Sequence, residues 1–323
     1  MNGGVQDKTH RKALTRRLRA ANAPASSSPP THHFEGLTVP NRRSFCLALG
    51  GLPLLSLAGA LAFAAADPLD ADAALRAAIE STRRSAAERA RDADRHPYET
   101  LHFFGLKPDH TVIEIAPGGG WYTAIIAPFL REQGRYIAAL YTEDEATPAE
   151  TEAARVKLRA RFDEKFSGDA ARYGRVGVGS LLTSGLVDVG PPASADRVLT
   201  FRNIHNWIEG GHLDQAMQAF YAALKPGGVL GVEEHRAPPG TPLERIIATG
   251  YVREDLVIAR ARAAGFDLAA SSEINANPRD DHDHPNGVWS LPPTLRGGDT
   301  DRAKFLSIGE SDRMTLKFVK PAR

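Results

Sequence analysis

The sequence predicts an α/β fold, a three-layer sandwich with helices on both faces of a seven-stranded, mostly parallel sheet. Three observations carry this. The β-branched run Val112, Ile113 and Ile115 breaks at Pro117 into three glycines, then passes into helically spaced apolar residues from Trp121 to Leu130. From there to residue 319, short strand-like runs alternate with amphipathic segments. With 42% hydrophobic residues in a chain of 323, a substantial core can form.

Charge and cysteine content narrow the function classes. Formal net charge is +1, but residues 1–66 hold 8 Lys and Arg against 2 Asp and Glu, leaving 32 basic against 37 acidic beyond them. A mildly acidic body argues against a duplex-binding surface, and no nucleic-acid partner is expected. Cys46 is the only cysteine, so the sequence holds no disulfide framework and no thiolate cluster for a metal.

Residues 1–40 are basic, rich in Ser and Pro and without apolar period, and read as a disordered leader. Residues 41–66 place Arg42-Arg43-Ser-Phe before an uncharged Ala/Gly/Leu-rich run that ends Ala62-Phe-Ala64. This resembles a twin-arginine signal peptide, which implies the twin-arginine export machinery as partner and a periplasmic or extracytoplasmic location. Phe45 to Ala66 is also long enough to be an uncleaved membrane anchor, so membrane contact is expected through this segment alone. Residues 67–94 carry Leu75, Ala78, Ile79 and Ala86 at helical spacing and predict one or two helices ahead of the main domain, 95–323.

Within that domain, Pro97 starts and Gly105 stops a short helix. The first strand occupies 111–115 and the second Arg135 to Tyr141. A charged helix begins near Pro148, the third strand is Arg175 to Val178, and the fourth is Ala195 to Phe201. The amphipathic helix His212 to Leu224 leads through the turn Lys225-Pro-Gly-Gly228 into a fifth strand, Val229 to Val232. A helix from Tyr251 to Ala264, a sixth strand from Phe266 to Ile274, a long excursion past Trp289 and a last strand from Arg313 to Val319 complete the order. The excursion is expected to wall or cover a site.

The glycine corner brings bare backbone N–H groups and a helix N-terminus towards a nucleotide-like ligand. Glu114-x-Ala116-x-Gly118-x-Gly120 resembles the first motif of class I S-adenosylmethionine-dependent methyltransferases. Leu224-Lys-Pro-Gly-Gly228 and Arg202-x-x-His205-x-Trp207 match the same family further along the chain. Pro117-Gly-Gly-Gly-Trp-Tyr122 and Gly309-Glu-Ser-Asp-Arg313 make residues 95–323 similar to a group of predicted bacterial methyltransferases with export signals.

The resemblance implies a Rossmann-like fold with an antiparallel last strand, S-adenosyl-L-methionine as cofactor and a small-molecule acceptor. It places the cofactor on Glu114, Ala116, Gly118, Gly119 and Gly120. Leu140 stands where the family has a ribose-binding acid, and Glu143 is the nearby substitute. Ser180 stands after the third strand, where the adenine is met. Asn203, His205 and His235 would serve the reacting centre, with Glu233 or Asp281 orienting a histidine and Arg202 meeting an anionic acceptor. No metal is expected, His282 and His284 reading as solvated loop residues. Two other classes are open: a non-catalytic cofactor-binding domain outside the cytoplasm, and a dinucleotide oxidoreductase. Against the second, Gly-x-Gly-x-x-Gly counted from Gly118 ends on Thr123.

Overall fold

In the computed structural model, residues 68–142, 147–181 and 187–322 are described, so the leader, the signal segment and Glu143 lie outside them. Among the described residues no helix is long and apolar enough to cross a membrane.

Four helices precede the sheet: α1 (Pro68–Glu80), α2 (Ala86–Arg89), α3 (Asp92–Arg95) and α4 (Pro97–Phe103). Ser85 caps α2 in a capping box with Glu88, and Pro97 opens α4, where its missing N–H costs no helical bond. Strand β1 (Thr111–Ile115) then leads to α5 (Thr123–Leu130), β2 (Arg135–Tyr141), α6 (Ala149–Phe162), α7 (Ala170–Tyr173) and β3 (Val176–Leu181). The two-residue β4 (Val187–Asp188) precedes β5 (Ala195–Phe201), α8 (Ile204–Glu209), α9 (Leu213–Ala223) and β6 (Leu224–His235). The chain closes with α10 (Leu243–Thr249), α11 (Glu254–Ala263), β7 (Asp267–Ser272), α12 (Arg302–Ile308) and β8 (Arg313–Val319).

The sheet order is β4-β3-β2-β1-β5-β6-β8-β7. Strands β3, β2, β1, β5 and β6 run parallel, and β8 lies antiparallel between β6 and β7. The seven expected strands and the reversed last strand are all present, and β4 adds an antiparallel edge strand that the sequence did not reveal. Strand β3 runs on to Leu181 because Ser180 and Leu181 pair with Leu140 and Tyr141 on one side and with Asp188 and Val187 on the other. Ser180 thus lies inside the strand instead of after it. The Lys225–Gly228 turn is likewise embedded, bulging between the pairs Ala195–Leu224 and Arg197–Val229.

Alternation along the strands divides the core into two faces. Ile113 and Ile115 join Trp207, Met217, Phe220, Val257 and Phe318 on one. Val112 packs on the other with Leu101, Phe104, Ile125, Phe162, Leu75 and Ile79. Leu75 is 2% exposed, and burying a side chain of that size contributes about 2 kcal/mol. Helix α1 is therefore part of the main core.

Candidate active site

Strand β1 hands the chain to α5 through a corner in which Ala116, Gly118 and Gly120 all have positive φ, at 45°, 58° and 74°. The three glycines do different things. A Cβ on Gly118 or Gly119 would meet nothing within 4 Å, while one on Gly120 would lie 2.2 Å from the Phe166 ring. Gly120 serves packing, and the first two leave open space over bare backbone. Beside them is a cavity of about 160 Å³ lined by Ala116, Gly118, Leu140, Tyr141 and Asn203, with Arg155 and Arg159 on its outer wall. A second, of about 580 Å³, shares Tyr141, Arg155 and Arg159 and runs under α6. Ligand sites usually enclose roughly 300–1,000 Å³, a range that the second cavity reaches and the inner one does not.

Glu114 alternates with Ile113 and Ile115 and faces the other side of the sheet. Its Oε2 accepts hydrogen bonds from Thr123 Oγ1 (2.9 Å) and Tyr136 OH (2.6 Å), and it is not one of the lining residues. Burial raises its pKa to about 7, against the lowering effect of the two hydroxyls. Its visible role is to fix the start of α5 against β2. Leu140, in the family's acidic position, lines the cavity with an apolar side chain. Ser180, paired in the sheet beside Leu140, is not a lining residue.

Strand β5 ends at Phe201 and turns through Arg202, another non-glycine residue with positive φ, 60°. Asn203 Nδ2 then donates to the Ile115 carbonyl at 2.9 Å, tying the ends of β5 and β1 together across the cavity floor. Asn203 occupies the cap position of α8 but makes no side-chain cap bond. His205, on the first turn of that helix, is 8% exposed and places Nδ1 3.0 Å from Glu234 Oε1. Glu234 also accepts the backbone N–H groups of Ile204 (2.5 Å), His205 (3.4 Å) and His235 (2.9 Å).

Glu234 is the residue the sequence reading missed. It expected Glu233 or Asp281 to orient a histidine, but Glu233 points to the opposite face and the exposed Asp281 lies against His284. The carboxylate assigns the Nδ1 proton of His205, and Nε2 is then left with its lone pair. His235 stands with its ring 5.4 Å from that of His205 and its Nδ1 2.5 Å from Ser311 Oγ. Its pKa falls well below the ordinary imidazole value, first through burial and further through neighbouring positive groups that include Arg202, Arg313 and Arg95. Trp289, from the excursion after β7, stands edge-on to His205 at 6.0 Å.

Among the described residues two sets of donor atoms gather within 4.8 Å: His205, Glu234 and His235, and Asp280, Asp281 and His284. In the first, Glu234 already satisfies its oxygens on three backbone N–H groups and His205, which is the pattern of an oriented imidazole. In the second, Asp280 is engaged by Tyr251, His284 and two backbone N–H groups. His284 is buried, unlike the solvated residue expected.

Gly309-Glu-Ser-Asp-Arg313 and Trp121-Tyr122 converge behind this site. Glu310 binds Arg95, Ser311 binds His235, Asp312 binds Arg236, and Arg313 and Tyr122 both bind Glu233. Trp121 Nε1 donates to the Glu88 carbonyl, and the Arg95 guanidinium lies 4.7 Å over its ring.

No family model matches the chain, and no curated protein does. Solved structures share its chain path. A SAM-dependent methyltransferase from Aquifex aeolicus is 15% identical at a TM-score of 0.46, covering 71% of this chain and 93% of its own. The cyclase SpnF is 19% identical at 0.49, covering 76% and 86%. An arsenic(III) S-adenosylmethionine methyltransferase from Chlamydomonas reinhardtii is 15% identical at 0.44, covering 77% and 73%. At these identities the likeness is one of fold, and chemistry has to be argued from the site.

Proposed function

We propose that this chain transfers a methyl group from S-adenosyl-L-methionine to a small-molecule acceptor. The observation that carries the reading is the open, Cβ-free space over Gly118 and Gly119. It lies between the carboxyl ends of β1 and β5, where the sheet order reverses and open α/β sheets bind ligands. The cofactor supplies an electrophilic methyl group. The protein's task is to align the acceptor with it and exclude water. Ala116, Gly118 and Asn203 shape the floor, Leu140 and Tyr141 give an apolar wall, and Trp289 shields the reacting side. His205, held by Glu234, takes a proton from an oxygen, nitrogen or carbon acid on the acceptor.

The signal-like segment at 41–66 supports membership of the exported group, a location outside the cytoplasm and passage through the twin-arginine machinery. Leu140 in the cavity wall favours one alternative, a domain that binds the cofactor without turnover, because no carboxylate on β2 grips the ribose.

Gly118→Val tests the assignment. A side chain at φ 58° costs about 1–2 kcal/mol, and the new methyl groups fill space now open. By calorimetric titration, S-adenosylhomocysteine affinity is expected to fall about 100-fold, the equivalent of about 2.7 kcal/mol, while the variant still unfolds cooperatively. Unchanged affinity would remove the corner from the binding site.

A further inference from the structure

We propose that an arginine cluster beside His235 binds an oxyanion, a carboxylate or phosphate group carried by the methyl acceptor. The inference deepens the methyl-transfer reading and rests on it for the word acceptor; the anion site itself stands on the following geometry. Four guanidinium groups, from Arg91, Arg95, Arg202 and Arg313, share two carboxylates. Glu233 meets Arg202 at 2.6 Å and Arg313 at 2.8 Å. Glu310 meets Arg91 at 2.8 Å, Arg95 at 2.9 Å and Arg313 at 3.1 Å. Within these direct ion pairs the guanidinium groups outnumber the carboxylates by two; Glu234, which holds His205, is the next negative charge along β6.

Among the adjacent acids, Asp92 pairs with Arg84, while Asp312 and Glu273 share the single Arg236. Arg95 and Arg313 are 3% and 1% exposed, and Arg313 Nε is buried with no hydrogen-bond partner among the described residues. A buried guanidinium N–H left without an acceptor is costly, so this arginine-rich network points to a negative ligand. Burial, then the charge of Arg202, lowers the Arg95 pKa to about 9, a sign that cations are crowded here beyond what Glu310 relieves.

Position gives the cluster its meaning. Arg202 directly precedes Asn203 on the cavity floor and is the least buried of the three guanidinium groups nearest His235, its side chain 18% exposed. His235 experiences the charges of Arg202, Arg313 and Arg95 while its ring neighbours His205. An oxyanion on Arg202 and Arg95 therefore directs the rest of the molecule past His235 and His205, towards the space over Gly118. Guanidinium forks suit planar carboxylates and tetrahedral phosphates alike.

The test is titration of the full chain, saturated with S-adenosylhomocysteine, using inorganic phosphate and succinate in separate arms. Succinamide is the neutral control, and chloride at equal ionic strength controls for screening. One oxyanion is expected to bind saturably and raise the melting temperature where succinamide and chloride do not, and the better arm names the group. Arg202→Gln, at the exposed end of the network, is expected to weaken that anion about 10- to 100-fold with S-adenosylhomocysteine affinity intact. Arg95→Lys, which keeps the charge and loses the fork, is the second variant. The proposal is overturned if neither anion exceeds chloride, or if both variants bind it as the parent does. Anion binding by a chain that binds no S-adenosylhomocysteine would instead sink the methyl-transfer reading and leave the anion site standing.

Discussion

Replacing His205 by alanine is expected to lower turnover by about 10²- to 10⁴-fold while S-adenosylhomocysteine affinity stays at the parent value. The separation follows from position. His205 does not line the cavity over the glycine corner, whereas its ring neighbours those of His235 and Trp289, where the proposed acceptor would lie. Glu234 supplies the fixed partner that orients this buried imidazole, as the proposed base requires. The readout is release of S-adenosylhomocysteine in the presence of an acceptor drawn from small oxyanionic compounds. His205→Gln, closer in volume and able to bond Glu234 but unable to take up a proton, is expected to be as inactive as alanine. Equal loss of cofactor affinity in both variants would make His205 a packing residue.

The largest expected effect on stability is at Glu233, which is fully buried and accepts from Arg202, Arg313 and Tyr122. Glu233→Gln leaves the shape and removes the charge, so four arginines face one carboxylate. Breaking a buried pair from one side costs about 3–5 kcal/mol, and in a domain of this size the melting temperature should drop by about 10 °C. Glu273→Gln, at an ion pair with a 70% exposed carboxylate, should cost less than about 1 kcal/mol.

The pH dependence carries the same signature. Burial works against ionisation of Glu233 and Glu310, but the neighbouring arginines hold both pKa values down, that of Glu310 to about 2. Depressed carboxylates contribute stability in full above the unfolded value, near 4.5, and lose it as pH falls towards the folded value. Below pH 4.5 the parent should therefore lose stability faster than Glu233→Gln, as followed by denaturant titration.

Much of the frame was legible because local signals coincided with burial. Strands β1, β2, β5 and β8 fall on the residues that their apolar runs mark, since each is covered on both faces and bounded by turn residues. Strand β4 was not, because two residues carry no pattern. Helix α10 was missed because its seven residues are too few to show a helical period.

The site was readable in its chain-local parts: the glycine corner, Asn203, and the two histidines that end up as ring neighbours. What orients them was not. Glu233 and Glu234 differ only in which face of β6 each occupies, and that parity is set by where β6 sits between β5 and β8. The arginine network was beyond sequence reasoning for a similar reason. Arg95 and Glu310 are 215 positions apart and meet only once α3 and the approach to β8 pack behind the sheet.

Calorimetric titration of the full chain with S-adenosylmethionine, S-adenosylhomocysteine and the nicotinamide dinucleotides bears most directly on the claim that the β1 corner holds an adenosyl cofactor. The account predicts saturable one-to-one binding of both sulfur nucleosides and none of the dinucleotides. Heat from a dinucleotide alone, or from none of the compounds, would contradict it.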